Sequence, residues 1–165
     1  MNSRHAATFA LLLTVTACAG SPTTPSPVTP PMPTTAALAV YAPTSWPSTC
    51  VQTALLCTAN VTVTIVESAG VGVTVTSITT SFTAPNGSVV ATANYDAAKI
   101  TLLAGTNRVA PNGSLTIPSP GSQERIGIVW TRTATVGGSG TLTIVAAMTD
   151  DKGNRFTGTM TVAVS

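Results

Sequence analysis

The sequence predicts an all-β protein, an antiparallel β-sandwich of seven to eight short strands. Ala59 to Phe82, ANVTVTIVESAGVGVTVTSITTSF, alternates apolar with hydroxyl-bearing residues at the period of two that gives a strand one buried face. β-Branched residues dominate, and no helical period competes. Gly, Pro, Asn and Asp punctuate the rest of the chain, as the turns of a sandwich require.

From residue 36 onward the elements follow in order. Ala37 to Tyr41 can form a first strand before Pro43, and Pro43 to Cys57 reads as a loop holding Trp46, Cys50 and Cys57. Val61, Val63 and Ile65 then share one face, Glu67-Ser68-Ala69-Gly70 reads as a turn, and Val71, Val73 and Val75 resume the pattern. Ile78 and Phe82 fall on the opposite parity. One extra residue near Thr76-Ser77 would keep both halves facing the core, which predicts a β-bulge there. Ala84-Pro85-Asn86-Gly87 is a turn. Ser88 to Tyr95 reads as an edge strand, and Ala97 to Ala104 as strand or irregular rather than helix. Pro111-Asn112-Gly113 leads into Ser114 to Ile117, stopped by Pro118 and Pro120. Ile126, Ile128 and Trp130 share a core face. Gly137 to Gly140 links to a last hairpin, in which Leu142, Ile144, Ala146 and Met148 pair with Phe156, Met160, Val162 and Val164 across a turn at Asp150 to Asn154.

The first residues have another character. Arg4 and His5 precede an apolar run from Ala6 to Val15, too short to span a bilayer and suited to a signal peptide. It ends in Val15-Thr16-Ala17-Cys18, which resembles the bacterial lipobox. That resemblance implies a signal peptide over 1–17, cleavage before Cys18, and acylation of that cysteine as a membrane anchor. Ala19 directs such a lipoprotein to the outer membrane if the host has two membranes. The following AGSPTTPSPVTPPMPTT completes a Pro/Thr-rich tether over 18–35. Its prolines favour an extended chain of ~3.1 Å per residue, a reach of roughly 50 Å. A Pro-rich partner ligand is the other use of such a segment, and its composition permits O-glycosylation.

With Cys18 assigned to lipid, two cysteines remain in an exported chain, and Cys50 with Cys57 is the economical disulfide. The alternative is a metal site, poorly served by two thiolates once His5, the one histidine, is removed with the leader. Leader, lipobox, tether and strand series together resemble bacterial surface lipoproteins carrying an immunoglobulin-like or fibronectin type III-like domain, here residues 36–165. The resemblance implies an extracytoplasmic, membrane-anchored protein. The chain departs from antibody-type domains because both cysteines precede the core strands.

Composition bounds the function. Without histidine or a free thiol, a Ser-His-Asp or Cys-His constellation cannot form. Glu67, Asp96, Glu124, Asp150 and Asp151 fall mostly at turns, a poor basis for paired carboxylate catalysis. No phosphate-binding glycine loop and no cofactor motif is present. Six basic against five acidic side chains after loss of Arg4 give no basic patch for nucleic acid. Charged residues make up only 7% of the chain, so Thr, Ser and Asn must cover its surface. The expectation is a non-catalytic envelope lipoprotein whose domain binds or scaffolds an envelope protein. The alternative is an adhesion module for surface glycan or Ca²⁺. Trp46 would be its stacking platform, and Asp150, Asp151 and Asn154 its oxygen ligands. A plain polar turn competes with the latter.

Overall fold

The computed structural model describes residues 32–165 except 44, 52, 54, 119–124 and 134–135. The expected signal peptide, the lipidated Cys18, most of the tether, Pro120 and Glu124 lie outside the described residues. The compact unit begins at Met32.

Among the described residues twelve strands and one helix form a largely antiparallel β-sandwich, more strands than the seven or eight expected. One layer is a six-stranded sheet. Its path runs β2 (Ser45–Trp46), β12 (Arg155–Val164), β11 (Gly140–Asp150), β6 (Val73–Thr83) and β7 (Val89–Asp96), with β8 (Arg108–Val109) also paired to β6. The facing layer is split into two three-stranded halves: β1 (Leu38–Tyr41), β5 (Val63–Glu67) and β9 (Ser114–Ile117); and β10 (Ile126–Thr131), β4 (Leu56–Val61) and β3 (Thr49–Val51).

The alternating stretch therefore serves three strands rather than two. From Cys57 to Glu67 every odd residue is buried, yet the chain changes partners at Thr62, leaving β3 and β10 for β1 and β9. The expected bulge is present. Ala147 pairs with Ser77 and Met148 with Val75, so Thr76 is the extra residue, and both Val75 and Ile78 stay fully buried. Thr76 Oγ1 donates to Ala147 O at 2.9 Å.

Two local readings are corrected. Ala97–Ala104 is a helix, α1. The Asp96 side chain accepts from Lys99 N at 2.8 Å as its N-cap, and Gly105 ends it at φ +79° with its N–H on Thr101 O. Ile100 and Leu103, three apart, bury one face. The Pro43–Cys57 loop contains β2 and β3, because Ser45 and Trp46 add in parallel to the end of β12 while Thr49 to Val51 fold back on β4.

The core lies between the layers, with Phe82 and Trp130 stacked at 3.9 Å, so Trp130 is a core residue as its parity implied. Tyr95 closes one side. Its hydroxyl donates to Gly127 O at 2.5 Å and accepts from Gly127 N at 2.8 Å, linking β7 to β10. A Cβ at Gly127 would run into Asn60 Oδ1. β7 ends its sheet, as the edge-strand reading required.

Candidate functional site

Among the described residues, the buried charge gathers where the compact unit begins. Glu67, the last residue of β5, is 1% exposed although a turn position was expected. It accepts from Ala69 N at 2.7 Å, Asn112 N at 2.8 Å, Gly70 N at 3.0 Å and Ala37 N at 3.3 Å. Gly70 and Asn112 reach it with positive φ of 80° and 53°. Burial pushes this carboxyl up, but the backbone N–H groups of Asn112, Ala69, Ala37 and Val71 outweigh it and hold the group below its usual range.

Asp150, the last residue of β11, is 5% exposed. Asn154 N, Lys152 N, Asn154 Nδ2 and Ala36 N donate to it at 2.8, 2.9, 2.9 and 3.2 Å. Burial opposes its ionisation, and the Asn154 side chain with the backbone donors more than compensates, lowering its pKa. Asn154 Nδ2 also donates to Thr34 O at 3.2 Å, and Ser68 N to Ala37 O at 3.0 Å. Ala36 and Ala37 are thus clasped by two carboxylates from opposite layers, and Thr34 by the Asn154 amide.

The Asp150, Asp151 and Asn154 turn is satisfied from within. N–H donors surround Asp150, and Asp151 turns to Arg108 in a two-bond pair at 2.6 and 2.8 Å. That pair lowers the Asp151 pKa and raises that of Arg108, while remaining 42% and 47% exposed. A cation at Asp150 would have to displace its donors. Among the described residues no cluster of three His, Cys, Asp or Glu side chains is placed to hold a metal.

The other end of the sandwich differs. The run Leu56 to Glu67 separates the poles by on the order of 30 Å. Cys50 and Cys57 face each other across β3 and β4 and form the expected disulfide. On the outer side of this sheet Val51, Leu56 and Val129 are exposed, with Leu55 beside them at φ +51°. That left-handed conformation is unusual for a leucine. Trp46 is no exposed platform: it lies in β2, half-buried against the core, because pairing with the end of β12 draws it in.

No protein-family model matches the chain, and no curated protein matches it by sequence. Among solved structures it resembles an X-ray structure of a Northeast Structural Genomics Consortium target, with TM-score 0.51, 14% identity, and coverage of 78% of this chain and 86% of that one. It also resembles the crystal structure of a Bordetella pertussis protein assigned as ApaA, with TM-score 0.53, 13% identity, and coverage of 78% and 94%. At such identities the likeness is one of fold. With the all-β, largely antiparallel topology it supports a β-sandwich fold. The disulfide fits an oxidising, extracytoplasmic compartment. No helix among the described residues is long and apolar enough to cross a membrane.

Proposed function

We propose that the chain is a lipid-anchored envelope lipoprotein, held to the membrane through Cys18, whose sandwich is a non-catalytic module that docks an envelope protein. The observation that supports it most is the clasp. Both fully or nearly buried carboxylates are satisfied by the N–H groups of their own turns and by Ala36 and Ala37 at the root of the Pro/Thr-rich segment, so neither opens a reactive site. A domain gripped at one pole presents the other. There a left-handed Leu55 and the exposed Val51, Leu56 and Val129 sit on a sheet pinned by Cys50–Cys57. Backbone strain held beside exposed apolar side chains is the pattern of a contact surface.

Site-specific photo-crosslinking in cells tests it. A probe at Val51 or Val129 should capture one envelope protein in stoichiometric amount, and a probe at Lys152 on the clasp pole should not. Equal capture from both positions, or none from either, would refute the docking role. Cys18→Ser should release the protein from the membrane fraction, and retention there would refute the anchor.

A further inference from the structure

Beside the bulge at Thr76 the six-stranded sheet carries a hollow of about 390 Å³, lined by Ala147, Thr149, Arg155 and Thr157, with Met148 and Phe156 completing the wall. Its origin lies in the register. Ala147 pairs with Thr157 and Thr149 with Arg155, so these four residues form a square on the outer face of β11 and β12. The square measures ~4.8 Å across the strands and ~7 Å along them. Ala147 is its one small member, and next to it the extra residue of β6 interrupts the outward row, which leaves the space above the Ala147 methyl open. Among the described residues β2 joins β12 only at Ala163 and Val164, so no strand flanks Arg155 and Thr157.

The donors around this hollow are uncommitted. Asp151 is taken by Arg108 through two bonds, and Asp150 accepts from its own turn. Among the described residues no group pairs with the Arg155 guanidinium, and the Thr149 and Thr157 hydroxyls have no partner either. Thr76 differs, since its Oγ1 donates to Ala147 O at 2.9 Å. A merely solvated arginine needs neither a hollow nor free hydroxyls beside it. Here a cation and two hydroxyl donors border one space, and its volume lies within the range of small-ligand pockets, about 300–1,000 Å³.

We propose that this hollow receives the phosphoryl head of a small ligand. A guanidinium is a planar fork that binds two oxygens of an oxyanion through parallel charge-assisted bonds. The Thr149 and Thr157 hydroxyls then serve a third oxygen, which a phosphoryl group has and a carboxylate lacks. The Ala147 methyl lets the anion approach the sheet, where any longer side chain would occupy its place. A soluble phosphate ester and a lipid headgroup present the same oxygens, so the chemistry of recognition is shared between them. The site is half-open, so its affinity is modest and falls with salt. The proposal is independent of which protein docks at the apolar pole.

Amide chemical shifts of the full chain in detergent micelles, titrated with inorganic phosphate and with glycerol 3-phosphate, test it. Both should give saturable shifts confined to Thr76 and residues 147–157, half-maximal below about 10 mM, and acetate should bind about tenfold more weakly. Arg155→Gln should weaken phosphate binding about tenfold with melting unchanged. Ala147→Val should do the same, because it fills the hollow and leaves every charge in place. Arg132→Gln, at an exposed arginine away from the hollow, should change nothing. Micelles doped with phosphatidic acid separate the two sources: the same shifts there assign a lipid headgroup, and their absence assigns a soluble ester. No saturable shift with phosphate, an equal response to acetate, or binding indifferent to Arg155→Gln or to Ala147→Val would each overturn the proposal. Equal loss with Arg132→Gln would reduce the effect to general charge attraction and overturn it as well.

Discussion

Glu67 and Asp150 at the tether pole are almost wholly buried and surrounded by N–H donors, whereas Val51, Leu55 and Val129 at the opposite pole are more than half exposed. Carboxylates are inside at one end, and a cluster of aliphatic side chains is outside at the other. Buried charge there is matched donor for donor, and no buried side-chain nitrogen or oxygen among the described residues lacks a partner. The tether pole is thus optimised for holding itself together. The far pole retains strain and apolar exposure that folding alone does not reward.

Substitutions should separate the two ends. The largest effect is expected at Glu67: Glu67→Ala strands several buried N–H groups and should cost about 3 kcal/mol or more in chemical denaturation. Glu67→Gln should recover only part of it, since its amide group faces donors. A loss below about 1 kcal/mol for the alanine variant would show that water replaces the carboxylate and that the clasp is dispensable. Next, Cys50→Ser with Cys57→Ser should cost about 2 kcal/mol, the chain entropy of so short a loop. Proteolysis should then cut first between these residues while the tether pole stays protected.

Acid should loosen the clasp selectively. Glu67, Asp150 and Asp151 all have folded pKa values below their ordinary ones. Their contribution is therefore complete at neutral pH and is lost as pH falls through the lowered folded values, below about pH 4. Hydrogen exchange should show Ala36 and Ala37 opening in that window before Cys57 or Ile128, and uniform opening would contradict the asymmetry. A smaller effect, of opposite sign, is expected from Leu55→Gly. Relief of a left-handed leucine should stabilise the fold by up to about 1 kcal/mol while weakening capture at the apolar pole. Arg108→Ala, which breaks a largely exposed pair, should hardly move the melting temperature.

Much of this was legible in the sequence, and the parts that were not have identifiable causes. The bulge at Thr76 could be read because a period of two leaves no freedom: Val75 and Ile78 cannot both face inward without an extra residue. The disulfide followed from counting. Helix α1 was misread although Asp96 and Gly105 bracket it as caps and Ile100 with Leu103 supply helical spacing, because eight residues between strands offer little periodicity to weigh. The clasp escaped notice because a carboxylate beside Ser, Ala and Gly reads as a surface turn. Its signal was present in the parity. Glu67 is in phase with Val61, Val63 and Ile65, and Asp150 with Leu142, Ile144, Ala146 and Met148, so both continue a buried face. The distance between Ala36 and Asp150 along the chain left nothing local to show that they meet. Trp46 was drawn into a strand by the end of β12, a pairing across more than a hundred residues that no local pattern announces.

The pairing of β1 has a mechanical meaning. Leu38 to Tyr41 lie antiparallel to Glu67 to Thr64, so the chain enters β1 at the Glu67 end. A pull applied at Ala37 along the strand axis loads β1 lengthwise rather than across it. The hydrogen bonds to β5 are then sheared together instead of being unzipped one after another, and the two carboxylates take up the first displacement. On the proposed anchoring and docking, such a domain would bear load at its root while its far end stays engaged.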